Sequence, residues 1–309
     1  MSSSTLSATW MAWAGCLGLA CTYVGSLYLW PNPRNLQRDH PEVIRRRFIS
    51  LAGSCAVAWV PLWRVLRAPP AAVVAAVGGA HQLPPLLHAL GVSPTSVVGL
   101  LTSSFATLGL SAALFTGPLL LLTLDGELLP RFTAALRLDS IQKYRNVIVA
   151  PLSEEFAFRA CMCPLLLLSG AASICTAVLA SPCFFGVAHA HHFVELRRRT
   201  GSVSTAFMAT AFQFAYTTLF GWFATFVFIR TGHLAGPVLA HAFCNVMGLP
   251  DVGRAAEHER AGLIGAAYVL GVVVFAAGLW PATDPAWHPA SLWGDYVAIA
   301  RAAAATAAK

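Results

Sequence analysis

Residues 8–30 read ATWMAWAGCLGLACTYVGSLYLW, a run without a charged side chain that closes on aromatic residues. A helix that crosses a bilayer needs about 20 predominantly apolar residues, and tyrosine and tryptophan favour the headgroup boundary. The run is therefore read as a first membrane span. The residues before it carry no base, so the positive n-region of a cleaved signal peptide is missing and the span is expected to be retained. The segment after it holds Arg34, Arg38, Arg45, Arg46 and Arg47. The positive-inside rule places that side in the cytosol and the N-terminus on the opposite side.

The rest of the chain agrees. Of 309 residues, 57% are hydrophobic and 11% charged, against about 25% charged in soluble domains; the mean hydropathy is +0.66. Thirteen acids and 20 bases cannot coat a soluble surface. The same shortage excludes a disordered polar chain. The formal charge of +7 reads as the arginine excess that sets orientation, and no nucleic-acid partner is expected. Further spans are predicted at 48–66, 97–124, 141–168, 171–190, 204–229, 232–249 and 262–280. Residues 69–90, cut by Pro69, Pro70, Pro84 and Pro85, read as a loop or interfacial segment. The result is an all-α polytopic membrane protein with about eight transmembrane helices. Residues 1–130 form its N-terminal helices, 131–283 its core and 284–309 a peripheral, alanine-rich tail. Eight cysteines lie in apolar stretches without a CxxC pair and read as small hydrophobes.

Ionisable side chains inside a membrane are costly and are functional candidates. The first group is Pro151-Leu152-Ser153-Glu154-Glu155-Phe156-Ala157-Phe158-Arg159. Glu155 and Arg159 are i,i+4 and can pair on one helix face. Glu154 lies about 140° around the axis from Arg159 at 3.6 residues per turn, which leaves it without a partner in its own helix. A carboxylate so placed suits proton transfer, unless both glutamates simply sit at a helix end in the headgroup layer. Pro151 is expected to break the helix and admit water. The second group, Phe185-Gly186-Val187-Ala188-His189-Ala190-His191-His192, ends an uncharged run; Arg197–Arg199 just beyond reads as a solvated cytosolic turn. The third places His241 and Asn245 at i,i+4. Either pair of polar residues also fits hydrogen bonding between helices. Together the groups supply a base, an imidazole and donors, the equipment for activating water and stabilising an oxyanion. Glu154, His189 and His241 could ligate zinc, but no HExxH is present and the three come from separate segments. No metal and no cofactor is expected.

Residues 145–159, with Glu154, Glu155 and Arg159, resemble the EExxxR region of the type II CAAX prenyl endopeptidases. Phe185 to His189 resembles their FxxxH motif, and His241 to Asn245 their HxxxN motif. The resemblance covers residues 140–250. It implies a bundle around a water-filled, conical cavity, and removal of the C-terminal AAX tripeptide from farnesylated or geranylgeranylated CAAX proteins such as small GTPases. It implies that Glu154 and His189 activate water, that His241 and Asn245 stabilise the oxyanion, and that Glu155 and Arg159 support them. In a eukaryotic cell it implies the endoplasmic reticulum membrane, with the site reached from the cytosol. A non-proteolytic scaffold or chaperone of the same superfamily, a zinc-dependent membrane protease and a transporter are the rival readings. Phe184, Phe185, Phe212, Phe214, Tyr216, Phe220 and Trp222 either line the lipid side of the cavity or simply pack.

Overall fold

The protein is described from a computed structural model covering residues 3–31, 36–93, 97–188 and 192–307. Among these residues the regular structure is helical throughout. The main helices are α1 (Ser3–Ser26), α2 (Pro41–Ala58), α3 (Val60–Arg67), α4 (Val97–Leu114) and α5 (Thr116–Leu124). They continue with α6 (141–168), α7 (Ile174–Ala188), α8 (His192–Thr200), α9 (Val203–Thr231), α10 (Ala235–Met247), α11 (Ala261–Ala282) and α12 (Trp293–Ala307). Stretches at Pro41–Arg67, Val97–Leu114, Val203–Thr231 and Ala261–Ala282, and the one beginning at Ile174, are long and apolar enough to cross a membrane. The chain is an all-α, multi-pass membrane protein.

Local chemistry sets the helix ends. At α2, His40 Nδ1 accepts the backbone N–H of Glu42 and Pro41 occupies the first turn, where its missing donor is not needed. Ser202 caps α9 by accepting the Thr205 N–H. α9 stops at Gly232, whose φ of 68° is the left-handed conformation that suits glycine. A Cβ there would meet the Ala290 carbonyl oxygen at 2.0 Å, so the turn into α10 is closed over by backbone from the C-terminal segment.

α6 is the central element. Ala157, Phe158, Ala160 to Cys163 and Leu165 to Leu168 are all buried in the main core. Contrary to expectation, Pro151 does not break it. The helix widens into a π segment at Arg145–Val149, in which the Ala150 N–H reaches Arg145 O, and Pro151 follows in the first turn of an α segment. The helix can therefore carry proline without losing its course. A second π segment, Phe156–Cys161, follows Glu155.

The C-terminal segment packs against the bundle over 288–299 and is largely exposed over 301–305. Leu292, Tyr296 and Ile299 are buried in the main core. His288, also buried, places one ring nitrogen 3.1 Å from Thr102 Oγ1 and the other 2.9 Å from Ala282 O. Tyr296 and Ile299 carry the packing of α12, while Arg301 and Ala303 to Ala305 are exposed. Residues 69–90 hold two short α-helices, Ala71–Ala76 and Leu86–Ala89, with a 3-10 turn at Ala80–Gln82, and lead to Gly91, whose carbonyl accepts the Leu234 N–H at 2.9 Å. All eight cysteines are free thiols.

Candidate functional site

Glu155 and Arg159 lie on α6 with no exposed surface at all. Arg159 Nη1 donates to Glu155 Oε1 at 3.2 Å, and Nε lies 3.1 Å from Oε2, ion-paired but out of line for a hydrogen bond. A buried charge requires such a partner, because removing either ion from water costs several kcal/mol. The guanidinium also stacks on aromatic faces, 4.6 Å from the Phe185 ring centre and 5.7 Å from that of Phe220. Room for it comes from Gly221, and Gly186 lets α7 and α9 approach closely beside it. A Cβ on Gly221 would stand 2.5 Å from Pro182 Cβ and 3.1 Å from Arg159 Nη2, and one on Gly186 2.6 Å from Thr218 Oγ1.

The other face of the Glu155 carboxylate holds His241 of α10. Its Nδ1 lies 2.8 Å from Glu155 Oε1; a carboxylate only accepts, so the ring nitrogen carries the proton and donates. Phe185 and Phe220 flank the imidazole at ring separations of 6.2 and 5.1 Å. With Nδ1 so engaged, Nε2 turns toward Glu154 and stands 3.8 Å from its Oε2. That gap is too long for a hydrogen bond. Two polar atoms at this separation are close enough to share one water as a common hydrogen-bond partner. Four sequence candidates thus converge, Glu154, Glu155, Arg159 and His241, in a relay running from the buried arginine to the less buried Glu154.

Asn245 lies one turn beyond His241 on α10. Its Nδ2 donates to Asn146 O in the first π segment at 2.9 Å, leaving its second N–H uncommitted to that contact. The neighbouring Arg145 donates from Nε to Asn146 Oδ1 and from Nη1 to Asp39 Oδ1 at 2.7 Å. The guanidinium holds the Asp39 carboxyl below its ordinary range. His189 and His191 lie outside the described residues.

One contributor, Tyr23, escaped the sequence reading. Tyr23 of α1 shares a 2.8 Å hydrogen bond with Ser153, the residue before Glu154, and Ser153 in turn donates to Val149 O. Phe185 and Phe220, read as cavity lining or packing, pack around Arg159 and His241. Phe184 stacks on Trp13, while Phe212, Phe214, Tyr216 and Trp222 are surface residues. The one available signal for Tyr23 is its phenol within a span that carries no charge, since a buried tyrosine O–H usually finds a partner.

The family model described as type II CAAX prenyl endopeptidase Rce1-like matches residues 139–247. CAAX prenyl protease 2 of Homo sapiens is 43% identical over 289 residues, 89% of this chain and 82% of that protein. The chain belongs to the type II CAAX prenyl endopeptidase family. CAAX prenyl protease 2 of Rattus norvegicus is 38% identical over 89% of this chain and 81% of its own length. The probable CAAX prenyl protease 2 of Schizosaccharomyces pombe is 33% identical over 85% and 90%. No solved structure matches. Membership makes the chain a membrane-embedded hydrolase, and the family model covers α6, α7, α9 and α10, the helices that bring Glu154, Arg159 and His241 together.

Proposed function

We propose that the chain cuts the AAX tripeptide from prenylated CAAX proteins, with Glu154 as the base. The observation that carries this reading is the placement of Glu154 beside an imidazole whose opposite nitrogen is fixed by a buried ion pair. Water between the two attacks the carbonyl carbon of the prenylcysteine residue and gives its proton to Glu154 as the new C–O bond forms. The carbonyl oxygen takes up negative charge. The spare N–H of Asn245 is suited to meet that charge, and so is His241 Nε2 in the imidazolium form, which takes its second proton from solvent before the attack and keeps it throughout; donors positioned in advance stabilise the charge without reorganising. The intermediate then expels the amine of the AAX tripeptide, which receives the proton, and a prenylcysteine carboxylate remains. The family resemblance gives His189 a share in activating the water. A cavity open to lipid and cytosol suits this substrate, because the prenyl chain favours hydrocarbon while the scissile amide needs water. Residence in the endoplasmic reticulum and substrates such as small GTPases belong to the same reading.

The test is Glu154→Gln in full-length protein reconstituted in bilayers, assayed with a farnesylated CAAX peptide and mass spectrometry. Tripeptide release is expected to vanish while the protein accumulates normally, because an amide cannot take the water's proton. Substantial residual release by the variant would remove Glu154 from the role of base. Wild-type protein that releases no tripeptide would favour the scaffold reading.

A further inference from the structure

A groove of about 460 Å³ lies between α1 and α2–α3, with Ala157 of α6 in its wall. We infer that it receives the isoprenoid chain of the substrate, an assignment that rests on the proposed protease reading. Small-molecule sites run from about 300 to 1,000 Å³, so the space suits one lipid chain. The groove is graded along its length. At one end Thr22, Tyr23 and Ser54 supply hydroxyls, with Ser54 Oγ 3.5 Å from Thr22 O. At the other end the walls are Gly15, Val60 and Pro61, where a Cβ on Gly15 would contact Pro61 Cβ at 3.7 Å.

The polar end is the end at the proposed site. Tyr23 binds Ser153, which precedes Glu154. Ala157 follows Ser153 by one turn, so both face α1. The scissile amide of a prenylated peptide is joined through one cysteine to its lipid. With the amide at Glu154, the isoprenoid must leave along a path that starts polar and becomes apolar, and the hydroxyl end of the groove reaches α6 at Tyr23–Ser153, one residue from Glu154. Gly15, Gly18 and Ala58 leave notches along the walls that accommodate branch methyls, which an unbranched bilayer acyl chain lacks. Tethering also makes entry of the lipid an intramolecular event once the peptide is seated.

The test uses full-length protein in bilayer nanodiscs, a farnesylated CAAX peptide and the same peptide with S-methylcysteine. A Cβ at Gly18 meets nothing within 4 Å, so Gly18→Phe fills the groove without disturbing the wall. Each methylene kept from apolar contact costs about fourfold. A phenyl ring displacing two of them is expected to lower kcat/KM for the farnesylated peptide roughly tenfold. Gly25→Phe, on the same helix with equally open space and outside the groove, is expected to leave it unchanged, and neither variant alters the S-methyl peptide. Unchanged farnesyl turnover in Gly18→Phe overturns the assignment and leaves a bilayer acyl chain as occupant. Equal losses on both peptides overturn it as distortion. A photoreactive farnesyl analogue on the peptide reads the site without cleavage. Labelling within 15–22 or 54–61 is expected, and labelling confined elsewhere refutes the groove. Wild-type protein labelled there that cleaves neither peptide would defeat the protease reading and leave the groove assignment intact.

Discussion

Replacing Glu155 by leucine isolates the buried pair. Neither Glu155 nor Arg159 has exposed surface, and the carboxylate meets Arg159 Nη1, Arg159 Nε and His241 Nδ1 at 3.2, 3.1 and 2.8 Å. Glu155→Leu leaves the guanidinium charged with only the Phe185 and Phe220 rings against it. Cutting one partner from a buried pair costs about 3–5 kcal/mol, whereas removing both charges together is often close to neutral. Glu155→Leu is therefore expected to lose about 3–5 kcal/mol, and Arg159→Met a similar amount. The double variant should be more stable than either single one, a coupling that a double-mutant cycle measures directly. Activity should behave differently. His241 has lost its acceptor in the double variant, so its ring is no longer held toward Glu154 and tripeptide release stays low. Equilibrium unfolding in mixed micelles and a peptide assay on the same preparations separate the two quantities. A Glu155→Leu variant within about 1 kcal/mol of wild type would contradict the burial cost on which the reasoning depends.

Gly221→Ala presses a methyl against Pro182 and Arg159 and should cost about 1–3 kcal/mol by overpacking, whereas Gly109→Ala, which meets nothing within 4 Å, should be neutral in the same unfolding measurement. Tyr23→Phe removes one hydrogen bond to Ser153 and should destabilise by about 0.5–1.5 kcal/mol, with kcat reduced modestly and its pH profile unmoved; a shifted profile would give the hydroxyl a direct part in proton transfer. The Asp39–Arg145 contact has a largely exposed acid, so Asp39→Asn should change stability by less than about 1 kcal/mol. Because Asp39 titrates below its ordinary range, whatever the contact contributes is present at neutral pH and fades as pH falls through that lowered value, as acid titrations of wild type and variant would show. An acceptor for glycosylation engineered into residues 31–47 should stay unmodified in a eukaryotic cell, and its modification would invert the topology.

The pairing of Glu155 with Arg159 was legible because it depends on spacing within one helix. It survives the π segment between them, since four residues still complete roughly one turn. The isolation of Glu154 within its own helix was legible for the same reason. The partner of His241 was not, because it lies on another helix and no periodicity of α10 points to it. Tyr23 and Ser153 are 130 positions apart, and only the packed fold brings them together. Pro151 misled because its disruptive effect was read against an α-helix, whereas the wider turn before it takes up the difference. The packing of 288–299 was not legible because alanine is compatible with solvent and core alike. It depends on Leu292, Tyr296 and Ile299, three side chains too few to register in a hydropathy pattern.

The two π segments of α6 change how this helix tolerates alteration in length. A π turn holds an additional residue over nearly the same rise, so it behaves as an insertion absorbed locally, and the flanking turns keep their faces. Removing one residue from Phe156–Cys161 would let the backbone relax to α geometry. Met162–Leu168 would keep its register with the surrounding helices, while a deletion at 156, 157 or 158 would bring Arg159 three residues from Glu155 and shift its guanidinium relative to the carboxylate. Shortening by one residue there would then leave a folded bundle carrying a displaced charge pair. The geometry that holds the fold and the geometry that holds the site are thus separable by a single peptide unit.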